Sequence, residues 1–202
     1  AVIVENVPEF TDWVLYTWWL DGMTALGYRA QTAILDAADF GLPQRRKRWF
    51  GIFTRNGDVD LSLPHLPPVT AAAILDTDPG NPVTRRLYVS PQIDQIVEPN
   101  TPHLVVYRRN AKPRRADQHP LATITAGGNH HGLHTVTPEG PYHRLITNRE
   151  CARAQGFPDT YTFTGNRAEV KRQIGNAVAV PIARWLGHRV ATSLGETLAG
   201  AA

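Results

Sequence analysis

Apolar runs and helix-period patterns alternate over the first quarter of the chain. Four consecutive apolar residues, 1–4, predict a strand that is buried on both faces, as in a parallel sheet. Tryptophan and tyrosine residues then recur at helical spacing up to Gly27, which predicts a core-packed helix that stops at this glycine. Further strands are expected over 29–37 and 49–54, on either side of a polar loop. This order predicts the edge of an α/β sheet with a helix packed on one face.

The pattern changes twice further along the chain. Frequent prolines and short apolar runs over 57–140 predict a second, smaller and irregular domain, made mostly of short strands and loops. In the remainder, 141–202, Thr147 and Glu150 have the spacing of a helix capping box, and the last segment is helical on both sides of Gly175. The chain therefore divides into three parts, over 1–56, 57–140 and 141–202.

Composition narrows the classes of function. The formal net charge is +3 and the pI is about 9.2, which is compatible with a polyanionic partner. The single cysteine, Cys151, excludes an internal disulfide framework and a cysteine-based zinc site. Neither a membrane-spanning apolar stretch nor a signal peptide is recognisable, so we expect a cytoplasmic protein.

Four short motifs occur in a fixed order: ENV at 5–7, PQRRKR at 43–48, RLITNRECARAQGFPD at 144–159 and QIGNAVAVP at 173–181. Each alone is weak evidence, but together they closely resemble the later motifs of the DNA cytosine-5 methyltransferase family. The resemblance implies the C-terminal part of a Rossmann-like, S-adenosylmethionine-dependent methyltransferase sheet. It also implies that 57–140 is a mostly β target-recognition domain for double-stranded DNA.

In that family a cysteine thiolate adds to C6 of a cytosine flipped out of the helix, and C5 then takes the methyl group of S-adenosylmethionine. The resemblance implies that Glu5 binds the N3 and N4 edge of the base and that Arg48 lies near O2. Asn6, Gln44 and Arg46 complete the motifs, whereas Arg45 and Lys47 are expected to face solvent or phosphate. Alternatively, an Asn after Glu at a strand end can be a turn former, and a basic loop can be a solvated face.

The later motifs imply cofactor-binding and structural roles. Asn176 and Val178 are the favoured candidate contacts of S-adenosylmethionine, and the alternative is that Gly175 and Asn176 only break one helix and cap the next. The RExARxQGFP residues are expected to organise the recognition domain. Cys151 lies among them without the proline and glutamine that flank the family nucleophile, so we expect a packed helix residue.

The middle domain contains the candidate DNA contacts. Basic residues that would neutralise phosphates are Arg108, Arg109, Lys112, Arg114 and Arg115. Candidate base readers, with two glycines that allow close approach, are Thr123, Thr125, Gly127, Gly128 and Asn129. Nearby histidines at 119, 130, 131 and 134 have no acidic or thiol partner in the sequence, so no metal site is expected.

The family's glycine-rich cofactor loop and Pro-Cys-Gln motif do not occur in this sequence. We therefore expect one part of a split or truncated enzyme, which forms a largely apolar heterodimer with a second polypeptide that carries the cofactor loop and the cysteine. A bacterial or phage-infected cell, with restriction-modification as the context, is the expected setting, and the protein would associate with the nucleoid. A noncatalytic DNA-binding or regulatory remnant is the alternative. A tRNA cytosine methyltransferase of similar fold is a third possibility.

Overall fold

The structure is a computed structural model that describes residues 1–64, 66–108, 110–128 and 130–195. The strands are β1 (Val2–Asn6), β2 (Arg29–Asp36), β3 (Lys47–Thr54), β4 (Asn81–Pro82), β5 (His103–Val106), β6 (Arg114–Arg115), β7 (His131–Thr137) and β8 (Gly140–Leu145). The α-helices are α1 (Tyr16–Ala25), α2 (Ser90–Ile93), α3 (Asn148–Ala154), α4 (Arg167–Asn176) and α5 (Val180–Ser193). Short 3-10 helices span Pro8–Asp12, Ala37–Phe40 and Ala71–Ile74.

The first three strands form a sheet in the order β1-β3-β2. β3 is antiparallel to both neighbours, so β1 and β2 run in the same direction and the connection through α1 passes from one side of β3 to the other. The α/β class is confirmed, but the expectation that β1 is buried in a parallel sheet is wrong for the described strands. β1 is an edge strand there, and Val2 and Ile3 are 37% and 42% exposed. With a neighbour on one side alone, β1 has too little protein around it to be buried.

The observed first helix, α1, is shorter than the helix that the sequence pattern predicts. The chain forms the 3-10 turn Pro8–Asp12 before α1 begins, and Gly27 ends the helical region with a positive φ of 83°. Trp19 packs edge-on against aromatic side chains of β3, whereas Trp18 is 77% exposed and no residue of α1 is fully buried. The aromatic stripe therefore belongs only partly to the core.

The middle of the chain forms a five-stranded antiparallel sheet in the order β4-β8-β7-β5-β6, which we call the recognition sheet. Its strands have two to seven residues, in agreement with the predicted short strands and loops. The segment 122–125 lies outside any strand, but Leu121 forms a parallel bridge with Gln44. This bridge joins the recognition sheet region to the loop before β3.

The last three helices connect two hydrophobic cores. α5 packs against the first sheet through residues such as Ile182 and Leu186, whereas α3 and α4 pack against the recognition sheet through residues such as Cys151 and Ile174. The predicted capping box at the start of α3 is confirmed. No helix in the described ranges is long and apolar enough to cross a membrane.

The two final helices are separated at 177–179, two residues later than the glycine at which a break was predicted. Gly175 lies inside α4, where a Cβ atom would be 2.3 Å from the backbone N of Ala126 and 2.4 Å from the carbonyl carbon of Thr125. A glycine is needed here because the helix backbone touches the backbone of another segment, and not because the helix must end.

Candidate active site and nucleic-acid interface

Glu5 and Arg48 meet at one end of the first sheet. Glu5 is opposite Phe50 in the β1-β3 register, so Arg48, two residues before Phe50, is its diagonal neighbour on the same face. Arg48 Nε lies 3.0 Å from Glu5 Oε1, and Arg48 Nη1 donates to the carbonyl of Lys47 at 2.7 Å. The side chains are 25% exposed for Glu5 and 18% for Arg48. The structure therefore brings these two predicted site residues together within reach of solvent.

Asn6 makes a local contact. Its Oδ1 accepts a hydrogen bond from the N–H of Val7 at 2.9 Å, where the chain leaves β1. This is the behaviour of a turn-forming asparagine, as the alternative interpretation of the ENV motif holds.

Gln44 is fully buried, and its amide bonds to two other segments. Its Nε2 donates to Ala154 O at 3.2 Å and to Gln155 Oε1 at 3.3 Å, and its Oε1 accepts from Ile124 N at 2.8 Å. Both ends of the amide are occupied by protein groups, which does not fit the catalytic role expected from the sequence. Gln44 instead holds the motif loop against the recognition sheet region and α3.

Arg46 is a second buried connector. Its guanidinium donates to Ile124 O at 2.8 Å, to Gly175 O at 2.9 Å and to Ala177 O at 3.2 Å. Burial, with a smaller contribution from the nearby charge of Arg48, lowers the pKa of Arg46 to about 10, so the group stays cationic at neutral pH. Like Gln44, Arg46 positions the backbone. Both of its terminal nitrogens, Nη1 and Nη2, donate to backbone carbonyls and are not directed at Glu5 and Arg48.

The alternation within this loop is confirmed. Arg45 and Lys47 are exposed, as predicted, whereas the residues between and before them are buried. Asp36 was missed by the sequence analysis, although a carboxylate at the end of a predicted strand is a detectable signal. Its Oδ1 accepts from Arg46 N at 2.9 Å, and its Oδ2 lies 3.7 Å from Arg45 Nη1. Asp36 thereby fixes the start of β3.

The GNAV segment lies beside the same loop. Asn176 is exposed at the end of α4, and Val178 is half-buried against the core that contains α5. Arg46 bonds the carbonyls on both sides of Asn176, so the segment is fixed near the start of β3. An exposed amide beside a half-buried apolar side chain can form one wall of a ligand site.

The RExARxQGFP helix is built around a saturated ion pair. Glu150 is fully buried and accepts four hydrogen bonds, two from Arg144 at 2.7 Å and one each from Thr147 N and Asp76 N. Burial acts to raise the pKa of Glu150, but these bonds outweigh it and the pKa is lowered. The carboxylate organises the helix start.

Cys151 is a packed helix residue, as predicted. Its side chain is fully buried, Lys171 Nζ lies 2.9 Å from its Sγ, and burial raises the pKa of the thiol. A buried thiol with a raised pKa is a poor nucleophile at neutral pH.

The basic cluster divides into free and paired cations. Arg108, Lys112 and Arg114 are exposed and line a cavity with Arg45. Arg115 is instead bound to Glu98 and to Asp117, with Nη2 2.8 Å from Asp117 Oδ2. A guanidinium with two carboxylate partners is largely neutralised, which does not fit the phosphate contact expected of Arg115. Arg109 lies outside the described residues.

The candidate base readers differ in what they can reach. Thr123 donates to Arg45 O at 2.9 Å, and Thr125 Oγ1 is buried, so the Thr125 hydroxyl does not fit a role in reading base edges. Gly127 and Gly128 are exposed, and Gly128 has a φ of 87°. Asn129 lies outside the described residues.

Several histidines of the recognition sheet are buried. His131 and His134 are 4% and 5% exposed, and burial lowers the pKa of both, that of His131 to about 4. Within the described residues, no group of three histidine, cysteine or acidic side chains has the geometry to hold a metal ion. His131 Nε2 is buried without a hydrogen-bond partner.

Comparison with known proteins gives consistent matches. The chain is 24% identical over 206 residues to the type II methyltransferase M.MspI of Moraxella sp, covering 96% of this chain and 46% of that protein. It is 31% identical over 180 residues to the type II methyltransferase M.NlaX of Neisseria lactamica, covering 83% of this chain and 54% of that protein. The chain thus spans about half the length of these curated relatives.

Solved structures share the fold. A methyltransferase of Entamoeba histolytica, EhMeth, superposes with a TM-score of 0.68 at 14% identity, over 95% of this chain and 62% of that one. The Dnmt2 methyltransferase of S. pombe gives 0.67 at 16% identity, over 96% and 66%. The model of the C-5 cytosine-specific DNA methylase family matches residues 1–76 and 77–192. The chain therefore belongs to the C-5 cytosine-specific DNA methylase family.

Proposed function

We propose that this chain is the C-terminal half of a DNA cytosine-5 methyltransferase, which methylates C5 of a cytosine that has been flipped out of the helix. The observation that carries the proposal is the Glu5 and Arg48 pair, partly exposed at the end of the first sheet. A carboxyl group and a guanidinium 3.0 Å apart can bind adjacent edges of one pyrimidine ring. A protein that only binds DNA has no need of such a pair.

Each member of the pair has a distinct role in this proposal. The Glu5 carboxyl binds the N3 and N4 edge, which selects cytosine and stabilises the activated ring. Arg48 lies at O2 and disperses the negative charge that develops when a thiolate adds to C6. Gln44 and Arg46 are positioning residues, because their bonds to the backbone set the start of β3 and hence the place of Arg48.

S-adenosylmethionine supplies the methyl group when it is bound. Asn176 and Val178 would hold one side of it, and the exposed amide of Asn176 fits a polar ligand with hydrogen-bonding groups. The Arg46 bonds to Gly175 O and Ala177 O keep these two residues in a fixed position. This wall is incomplete without further protein.

A second polypeptide that carries the cofactor loop and the nucleophilic cysteine completes the enzyme in this proposal. The single cysteine of the present sequence is buried in α3 and cannot take the role. In the described residues β1 has a strand neighbour on one side only, and Val7, Trp13 and Val14 nearby are exposed. An open strand edge beside exposed apolar side chains favours a sheet-completing partner, with an interface of the order of 2,000 Å² or more.

The recognition sheet reads the DNA in this proposal. Arg108, Lys112 and Arg114 neutralise phosphates, because they are exposed and have no carboxylate partner among the described residues. Gly127 and Gly128 lie in an exposed loop in which backbone can approach the duplex closely.

The test uses the chain assembled with a polypeptide that supplies the cofactor loop and the cysteine. Glu5→Gln and Arg48→Ala should each reduce single-turnover methylation by about 100-fold or more, because each removes a contact that matters most in the transition state. DNA affinity should stay within about tenfold. Glu9→Gln is the matched control, because Glu9 is an exposed carboxylate close to β1.

Unchanged methylation by the Glu5→Gln enzyme would refute the role of the pair. DNA binding without methylation in any assembly would favour the noncatalytic remnant. Turnover by the lone chain that is lost on Cys151→Ser would mean that Cys151 is the nucleophile after all.

A further inference from the structure

A cavity of about 410 Å³ lies where the loop that carries Arg45 meets the recognition sheet. Its floor includes Leu104, Val106 and His131, which share one sheet face because Val106 is paired with His131 and Leu104 is two residues from Val106. The segment 120–122 forms one wall and is tied to the motif loop by hydrogen bonds to Leu121. We call this space the His131 cavity. Its volume lies within the usual range for ligand pockets.

His131 contributes a buried acceptor without a partner. The side chain is 4% exposed, and its Nε2 is buried and makes no hydrogen bond. Of the two ring nitrogens of His131, Nε2 is the one that is buried without a partner, so we assign the proton to Nδ1 and leave Nε2 unprotonated. Burial lowers the pKa of the ring to about 4, so the ring is neutral at pH 7. Nε2 is therefore an acceptor, which a ligand N–H group would satisfy.

The charges around the cavity are distributed unevenly. Arg45, Arg108, Lys112 and Arg114 line it, and all four are exposed residues. Apolar side chains and the His131 acceptor form the floor. A phosphate on the floor would meet a lone pair and apolar groups, whereas a phosphate at the rim would meet four cations, of which Arg45 also lies 3.7 Å from Asp36 Oδ2. The arrangement thus fits a ligand with an N–H-bearing apolar ring at one end and a phosphate at the other.

The position of the cavity relates this ligand to the proposed reaction. Arg45 is three residues before Arg48, so their Cα atoms are at most about 11 Å apart. We propose that the His131 cavity binds a second unstacked nucleotide of the substrate nucleic acid, with its base on the floor and its phosphate at the basic rim. This inference rests on the proposed function, because it takes the substrate to be a nucleic acid held beside Glu5 and Arg48.

The first test observes the acceptor directly. The chain is labelled with ¹⁵N-histidine, and the deoxynucleoside 5′-monophosphates of adenine, cytosine and guanine are added in turn. Binding of a base should shift the His131 Nε2 resonance saturably, because the unprotonated nitrogen gains a donor. Deoxyribose 5-phosphate and inorganic phosphate should leave it in place. An unshifted resonance with all three nucleotides, or an equal shift with phosphate alone, would overturn the proposal.

Matched variants give the second test. His131→Leu removes the acceptor and should weaken nucleotide binding by about tenfold, whereas His131→Gln keeps an acceptor and should stay within about threefold. Lys112→Ala should weaken binding by about fivefold through the phosphate. Arg172→Ala, an exposed cation on α4 that does not line the cavity, should change nothing. Equal effects of the Lys112 and Arg172 changes would refute the basic rim even if His131→Leu does not fold.

Different results would refute the methylation reaction assigned to Glu5 and Arg48 and the nucleotide site at the His131 cavity. A His131 shift with nucleotides, together with full methylation by the Glu5→Gln enzyme, would keep the cavity and remove the assigned reaction. Loss of methylation in Glu5→Gln with an unshifted His131 resonance would keep the reaction and remove the cavity.

Discussion

Two arginine–carboxylate pairs, at different sheets of the molecule, show that the same pair of groups can serve different purposes. Arg144, in β8, and Glu150, in α3, are buried, and the Glu150 carboxylate accepts from four donors. Glu5 and Arg48, at the end of β1, are partly exposed, and Arg48 is the one ion-pair partner of Glu5 among the described residues. The first pair has no capacity left for a ligand, whereas the second does.

The difference follows from position in the fold. Glu150 joins α3 to β8 of the recognition sheet through Arg144, and its carboxylate also accepts from the backbone N–H groups of Asp76 and Thr147. Glu5 lies on an edge strand, which has a neighbouring strand on one side only in the described part of the chain. A saturated pair fixes structure and an unsaturated pair can bind substrate, so the pair with fewer bonds is the better candidate for function.

The largest effect should come from breaking the buried pair. Glu150→Ala leaves Arg144 buried and without its carboxylate, so the free energy of unfolding should fall by about 3 to 5 kcal/mol. Glu5→Ala should lower it by about 1 kcal/mol or less, because that pair is partly solvated. Urea denaturation of the two variants measures both. Equal losses would mean that the contrast between the pairs is not energetic.

Lowering the pH should reduce the stability of the fold first through the buried histidines, whose pKa values are lowered in the folded chain. An unfolded histidine is protonated below about pH 6.5, but His131 in the folded chain is protonated only below about 4. Between these values the unfolded state binds more protons, so lowering the pH should reduce stability by up to about 3 kcal/mol from His131 alone. The pKa values of His134 and His143 are also lowered, which acts in the same direction.

Glu150 should lose its contribution in a lower range. Its pKa is lowered in the folded state, so its stabilisation is present above about 4.5 and is lost as the pH falls further. Thermal melts of the wild type and His131→Gln between pH 7 and pH 4 test this order. An identical pH dependence in both proteins would contradict the assignment to His131.

The close contact of Gly175 with the backbone of Thr125 and Ala126 should have an intermediate effect on the free energy of unfolding. Gly175→Ala would drive a Cβ into the backbone of Thr125 and Ala126, and it should destabilise the fold by about 1 to 3 kcal/mol. Gly187→Ala is the matched control in α5, where a Cβ meets nothing within 4 Å, and it should stabilise by about 0.5 to 1 kcal/mol. Chemical denaturation distinguishes the opposite signs. A neutral Gly175→Ala would mean that the two segments can move apart freely.

The smallest effect concerns two adjacent arginines of β6. Arg114 is exposed, whereas Arg115 is bound to Glu98 and Asp117. Arg114→Ala should lower the salt slope of DNA binding by about 0.9, whereas Arg115→Ala should change it less because its charge is already paired. Binding titrations over a range of salt concentrations measure both slopes. A larger change for Arg115 would show that its carboxylate partners release it on DNA.

Much of the local structure could be predicted from local pattern. The strands predicted over 29–37 and 49–54 are observed over 29–36 and 47–54. These strands, the capping box at Thr147 and the helices around GNAV follow from periodicity and capping chemistry, which act over a few residues. The family could also be predicted from the sequence, because four of its motifs occur in the family's order along the chain. The alternation of buried and exposed residues in the QRRKR loop was predictable for the same local reason.

Other properties were decided only by tertiary structure. The same motif contains Arg48, which meets Glu5, and Arg46, which is buried against backbone carbonyls, and no local rule separates their roles. The pairing of Arg115, the unpartnered nitrogen of His131 and the exposure of β1 likewise depend on residues far away in the chain. The sequence determines which groups are available, because propensity and pattern act locally. Which of those groups remain unsatisfied, and so available to a ligand, depends on burial and hydrogen bonds that only the folded chain provides.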